Sequence, residues 1–118
     1  MPATILVLSY AQCGTCKKAL KWLDARGVTY TLRPIVDEPP TKKELAGWIK
    51  ASGKPVRKWL NTSGQSYRAI GKEAIDAMTD AQIVDALAKD GKLVKRPVVV
   101  VGEQVLVGFD EGAYDDAF

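Results

Sequence analysis

The 118-residue sequence predicts an α/β fold: a β-α-β unit, a block of helices and a β-β-α unit around a central mixed sheet of about four strands. Three observations predict it. Short, β-branched apolar runs stand near both ends, at Thr4–Tyr10 and Pro97–Val101. The chain between Thr41 and Lys89 carries helical rather than alternating periodicity. A helix-length segment, Thr15–Arg26, separates the first strand from the second.

Thr4 to Tyr10 reads as a buried strand, broken by Ala11-Gln12-Cys13-Gly14. From Thr15 to Arg26, Cys16, Ala19, Leu20 and Leu23 share one helical face, and Gly27 stands where a C-terminal cap glycine belongs. Val28–Leu32 alternates as a second strand bounded by Pro34, and a helical crossover makes it parallel to the first. After a loop carrying Asp37-Glu38-Pro39-Pro40, Thr41 and Glu44 form a capping box that opens a helix over 42–51, with Leu45, Trp48 and Ile49 as its apolar face. Val56–Leu60 is short and helical, and Asn61-Thr62-Ser63-Gly64 is a polar turn. Tyr67 and Ile70 precede a short helix near 72–77. Thr79 with Gln82 opens a further helix, faced by Ile83, Ala86 and Leu87 and closed by Asp90-Gly91. Pro97–Val101 is expected to be buried on both faces. Gly102-Glu103 turns it into the antiparallel strand Gln104–Val107, and Gly108-Phe109 leads to a last helix over 111–118. No repeat or linker interrupts the chain, so one domain over 1–118 is expected.

Composition narrows the chemistry. The chain has no histidine, two cysteines, and 17 Lys and Arg against 14 Asp and Glu, a net charge of +3. That excludes imidazole acid–base catalysis, His-ligated metals and a four-cysteine zinc site within one chain. The basic residues cluster at Lys17-Lys18-Lys21, Lys50–Lys58 and Lys92-Lys95-Arg96. They read as solvated helix faces or as a locally positive site that favours a thiolate or an anionic substrate. No aromatic–basic interleaving suits single strands, and direct nucleic-acid binding is not expected. The N-terminal apolar run is too short for a signal-peptide core, and no stretch approaches a membrane span of about 20 apolar residues. A cytoplasmic protein with no membrane partner is expected. Adjacent carboxylates such as Asp37-Glu38 and Asp115-Asp116 read as surface charge.

Cys13-Gly14-Thr15-Cys16 lies directly after a strand and opens a helix, a context more telling than the spacing itself. The helix start offers unpaired N–H groups and the positive dipole end to a thiolate at Cys13, and Lys17 and Lys18 add charge nearby. Cys16, three residues on and facing the apolar side, can attack a mixed disulfide formed at Cys13. The competing readings are half of a zinc site shared across a dimer, or inert buried thiols. Arg96-Pro97 opens the buried strand near the C-terminus, where proline is expected only at the strand's first residue. In a thioredoxin-like arrangement this loop faces the cysteine turn, the proline is cis, and Arg96 aims at the sulfur and any bound oxyanion. Otherwise Arg96 is a solvent-facing loop residue. Trp22, Trp48 and Trp59 sit at helical positions and read as core or groove walls.

Taken together, the segments 10–19, Pro39-Pro40, Leu60-Asn61-Thr62-Ser63-Gly64, Tyr67-Arg68, Lys95-Arg96-Pro97 and Val107-Gly108-Phe109 resemble the arsenate-reductase-like branch of the thioredoxin superfamily, its small YusI-type members in particular. That branch holds glutaredoxin-coupled arsenate reductases (ArsC), the YffB group and the Spx/MgsR regulators. The resemblance implies a thioredoxin-like core, residues 1–34 and 93–118, split by a helical insertion over 35–92. Cys13 matches the cysteine that forms the arseno adduct, and Arg96 the arginine of the Arg-Pro motif. A second anion-binding arginine is replaced by Asn61, and a third has no counterpart among Val105, Leu106 and Val107. Cys16 resembles the redox-switch pair of Spx-type regulators, or the second thiol of a dithiol reductase.

The expected protein is a thiol–disulfide oxidoreductase. Cys13 is the nucleophile, Cys16 resolves and Arg96 stabilises charge. Gly14, Thr15, Lys17, Asn61, Ser63 and Pro97 line the substrate groove, with Arg68 a further candidate. Electrons come from glutathione or a glutaredoxin/thioredoxin partner, with no tightly bound cofactor or metal. The alternative is a redox-sensing regulator that binds the α subunit of RNA polymerase.

Overall fold

The computed structural model describes residues 5–118; Thr4, the expected first residue of the first strand, lies outside them. A four-stranded mixed sheet forms the centre, in the order β2-β1-β3-β4. Strand β1 (Ile5–Ser9) is followed by α1 (Gly14–Ala25) and β2 (Thr31–Pro34). The helical block comprises α2 (Lys42–Ser52), a 3-10 turn at Val56–Trp59, α3 (Gln65–Ile70), α4 (Lys72–Asp76) and α5 (Asp80–Lys89). A second 3-10 turn, Gly91–Leu93, leads to β3 (Val98–Val101), β4 (Gln104–Val107) and α6 (Glu111–Ala117). As expected, β2 is parallel to β1, and β3 and β4 form an antiparallel hairpin. Strand β3 runs antiparallel to β1, which makes the sheet mixed.

Period-two alternation on the two central strands divides the core into two clusters. Val7 and Val99 face α1 and α6 with Ala19, Leu23 and Tyr114. Leu8 and Val98 face the helical block with Leu45, Trp59, Ile83 and Leu87. Strand β3 is thus buried on both faces, the arrangement its unbroken valines predict. Both capping boxes form: Thr41 with Glu44, and Thr79 with Gln82.

Three local expectations differ from the structure. The second strand lies at Thr31–Pro34 rather than Val28–Leu32. The Val28 N–H instead donates to the Leu23 carbonyl at 3.0 Å and closes α1 beyond Gly27, whose φ is 68°. Since β2 is an edge strand, it accommodates Pro34 within its span and leaves Leu32 53% exposed. Helix α3 occupies Gln65–Ile70, where only a lead-in to the next helix was expected; its N-cap, Gly64, makes no side-chain bond. Gly91 does not adopt the left-handed cap conformation. A Cβ there would run into the Ile35 carbonyl, so the glycine permits close approach of two backbone segments.

Candidate active site

The site forms where the C-terminal end of β1, the start of β3 and the helical block converge. Cys13 is the N-cap of α1, in extended backbone with φ −90° and ψ 116°. Its N–H donates to the Tyr10 carbonyl at 3.0 Å, and its carbonyl accepts from Lys17 N–H at 3.1 Å. Its sulfur replaces the hydroxyl of a usual capping residue, accepting the Cys16 N–H at 3.3 Å. One turn on, Cys16 is fully buried among the α1 face residues, and both residues are free thiols.

The facing wall comes from the segment before β3. Leu60 and Val94 form an isolated antiparallel bridge, flanked by Asn61 N–H to Leu93 O at 2.8 Å and Lys95 N–H to Trp59 O at 2.7 Å. This tie joins the helical block to the Arg96-Pro97 loop. The Arg96–Pro97 peptide bond is cis, and the Pro97 carbonyl accepts the Gly108 N–H at 2.8 Å. The Arg96 guanidinium lies 5.0 Å from the centre of the Tyr10 ring. Its Nε and Nη1 are buried without a hydrogen-bond partner among the described residues.

These walls enclose a cavity of about 410 Å³. Of the residues expected from sequence, Cys13, Thr15, Asn61, Ser63 and Arg96 line it together. Cys16 and Pro97 lie buried behind its wall. Gly14 and Lys17 are exposed at the start of α1 and do not line it, and neither does Arg68. A side chain at the first turn of α1 points along the helix flank, so adjacency to Cys13 in sequence does not bring Lys17 into the cavity. Sequence reasoning missed Lys54, Lys95, Phe109 and Asp110 as lining residues. Lys95 and Phe109 flank the Arg-Pro and Gly108 positions and were within reach of motif reading. Lys54 stood within the Lys50–Lys58 basic cluster but nothing in the sequence singled it out, and Asp110 carried no local signal.

Arg96 is the one arginine in that lining; Lys54 and Lys95 supply the remaining positive charge. Arg57, close to Asn61 in sequence, is committed elsewhere. Its guanidinium donates to the Ile75 carbonyl at 3.1 Å and the Met78 carbonyl at 2.7 Å, satisfying the end of α4.

The electrostatics separate the two thiols. Burial opposes a charge on Cys13, but hydrogen bonds from the Cys16 thiol and N–H and the adjacent Arg96 guanidinium outweigh it, and the thiol lies below its ordinary range. Burial pushes Cys16 up to about 12, helped by its hydrogen bond to Cys13 and the neighbouring thiolate charge. One sulfur is therefore biased toward the thiolate and the other held protonated one turn behind it. With no imidazole in the chain, backbone, thiol and guanidinium together lower the Cys13 thiol.

Comparison with known proteins agrees with this architecture. The family model described as "ArsC family" matches residues 8–117. The chain is 41% identical to YusI of Bacillus subtilis (strain 168) over 108 residues, 91% of this chain and 92% of YusI. It is 26% identical to the regulatory protein MgsR of the same organism, covering 95% and 88% of the two chains. Against an arsenate reductase of Escherichia coli it is 30% identical, over 83% of this chain and 69% of the reductase. An ArsC-family-related protein of Bacteroides fragilis superposes over 100% of both chains with a TM-score of 0.94 and 43% identity. No helix among the described residues is long and apolar enough to cross a membrane. In sequence and in architecture alike, the chain belongs to the ArsC family.

Proposed function

We propose that the protein is a thiol–disulfide oxidoreductase in which Cys13 attacks and Cys16 resolves. The observation that carries this is the opposed state of two thiols one turn apart, with Cys13 lowered at the helix start and Cys16 raised behind it. In the first step the Cys13 thiolate attacks one sulfur of a substrate disulfide, forming a mixed disulfide and expelling the other half as thiolate. In the second, Cys16 gives up its proton to the departing thiolate and attacks the Cys13 sulfur. A Cys13–Cys16 disulfide forms and the second half of the substrate leaves reduced. Once Cys13 is in the mixed disulfide its charge is gone, which removes one of the influences holding Cys16 protonated. Two molecules of glutathione, or a glutaredoxin- or thioredoxin-like dithiol, would return the pair to thiols.

Intact-mass analysis after exposure to glutathione disulfide tests this. The expected result is an internal disulfide in the native protein, a stable glutathionyl adduct in C16S, and no adduct in C13S. An adduct that persists on the native protein, or forms on C13S, contradicts the assignment.

A second reading rests on the likeness to MgsR over most of the chain and on the paired cysteines. In that reading the same disulfide is a switch controlling binding to RNA polymerase through its α subunit. A pull-down with the C-terminal domain of polymerase α, with and without oxidant, separates the two: redox-dependent capture supports the regulator and its absence removes it.

A further inference from the structure

Arg96 stands between two hollows. Beyond the cavity that holds Cys13 lies a second one of about 240 Å³, and Asn61 and Arg96 belong to both. Its other walls are Tyr10, Gln12, Gly64, Gln65 and Lys92. Among the described residues, no carboxylate lines it. The Lys92 ammonium and the Arg96 guanidinium both sit on the Tyr10 ring, at 5.9 and 5.0 Å from its centre. Asn61 steadies this wall: its side-chain amide donates to the Lys92 carbonyl at 3.4 Å and its N–H to the Leu93 carbonyl. The Gln12 carboxamide oxygen accepts from the Tyr10 hydroxyl at 3.2 Å, which leaves its NH2 group to donate elsewhere.

Two features suit this hollow to an anion. Among the described residues, neither Lys92 nor Arg96 pairs with a carboxylate. Arg96 also presents two buried N–H-bearing atoms without acceptors, a costly arrangement unless an anion completes it. Carboxamides beside two cations match the donors and acceptors of a peptide backbone next to a carboxylate.

We propose that this second hollow is a subsite for the carboxylate-bearing flank of a peptide disulfide, held while Cys13 attacks the disulfide itself. The inference rests on the thiol–disulfide reading above and deepens it: the substrate class is an anionic peptide disulfide. Lys92 determines specificity, and Gln12 and Gln65 hold the peptide. The same chemistry could come from a tripeptide such as glutathione disulfide or from a protein segment with acidic residues around its cysteine.

The test is the rate at which the reduced protein attacks three disulfides. They are glutathione disulfide, neutral bis(2-hydroxyethyl) disulfide, and a cysteine-linked peptide dimer with glutamates flanking the cysteine. The expected result is a preference for the anionic disulfides over the neutral one, falling about threefold to tenfold in K92E and weakening with added salt. K43E, which alters an exposed lysine of α2 outside both hollows, should keep the native preference. A stronger preference for the glutamate-flanked dimer than for glutathione disulfide identifies a protein segment as the source, and the reverse identifies the tripeptide. Attack on all three with a preference unchanged in K92E overturns the subsite and leaves the thiol chemistry standing. Attack on none removes both.

Discussion

The Cys16 backbone N–H points at the Cys13 sulfur across 3.3 Å, so the residue proposed to resolve the disulfide also helps to hold the proposed nucleophile as a thiolate. The helix end makes this possible. An N-cap side chain accepts from the backbone three residues on, and three residues on is where the second thiol stands.

Arg96 should account for a separable part of that activation. Alkylation of Cys13 by iodoacetamide, followed against pH in the C16S protein, should show a midpoint below that of an ordinary thiol. In R96Q C16S the midpoint should rise, because an adjacent cation favours the charged form. At neutral pH the reaction should slow about threefold to tenfold. The C16S background leaves Cys13 as the only thiol, so the readout is unambiguous. An unchanged midpoint in R96Q C16S would show that the helix end acts alone.

Gly91 should tolerate a side chain less well than Gly53. Gly53 has a φ of 68° and open space around its Cβ position, so G53A should cost about 1 kcal/mol from backbone strain. At Gly91 an added methyl group meets the Ile35 backbone, which can yield only if two segments separate. G91A should therefore cost about 2 kcal/mol or more, with a correspondingly larger fall in melting temperature. Equal falls for the two variants would contradict the packing role.

The contrast between these glycines explains what was legible in the sequence. Signals that act within a few residues were readable: the Thr41–Glu44 and Thr79–Gln82 boxes, the Gly102-Glu103 hairpin, and the cysteine pair between strand and helix. Gly91 looked like a helix-closing glycine because its real constraint, the Ile35 backbone, is distant in sequence. Strand β2 was misplaced because its edge position is a property of the sheet, which let Leu32 face solvent and Pro34 join the strand. Helix α3 lacks a side-chain cap and so announced nothing. In the site, Cys13 and Arg96 were found from local context. Lys54 and Asp110 reach the cavity only because the helical block folds against β4, and Lys17 stays outside it although it lies four residues from Cys13.

Tyr114 should couple the aromatic cluster to the floor of the site. Its hydroxyl donates to the Gly108 carbonyl at 2.8 Å in a buried setting, and Gly108 lines the Cys13 cavity. The ring packs edge-on against Phe109, centroids 4.9 Å apart, and against Trp22 at 5.4 Å. Y114F keeps the ring and leaves the carbonyl unpaired, so it should cost about 1 to 2 kcal/mol. Y114A removes the packing as well and should cost about 3 to 5 kcal/mol. Denaturant titration of both variants measures the difference, and equal losses would mean that the hydroxyl carries the whole effect.

Glu44 gives a stability that should depend on pH in a definite direction. It accepts from Arg33 Nη1 at 2.8 Å and Nη2 at 3.0 Å, and its Oε1 also takes the Thr41 N–H that completes the capping box. The Arg33 hydrogen bonds, opposed by partial burial and assisted by the Thr41 N–H, hold the carboxyl below its ordinary 4.5. A group whose pKa is lower in the folded state stabilises the fold above its unfolded value and ceases to do so as pH falls through the folded one. E44Q keeps an oxygen for the Thr41 N–H but removes the charge and one of the two oxygens that accept from Arg33. Because the pair is partly exposed, the variant should be less stable than the native protein by about 0.5 to 1 kcal/mol at neutral pH. That gap should hold down to about pH 5, close progressively below it, and shrink in high salt. Melting temperatures of the two proteins from pH 7 to pH 3 provide the measurement. A gap that widens on acidification would reverse the sign and show that the carboxyl is not held ionised by Arg33.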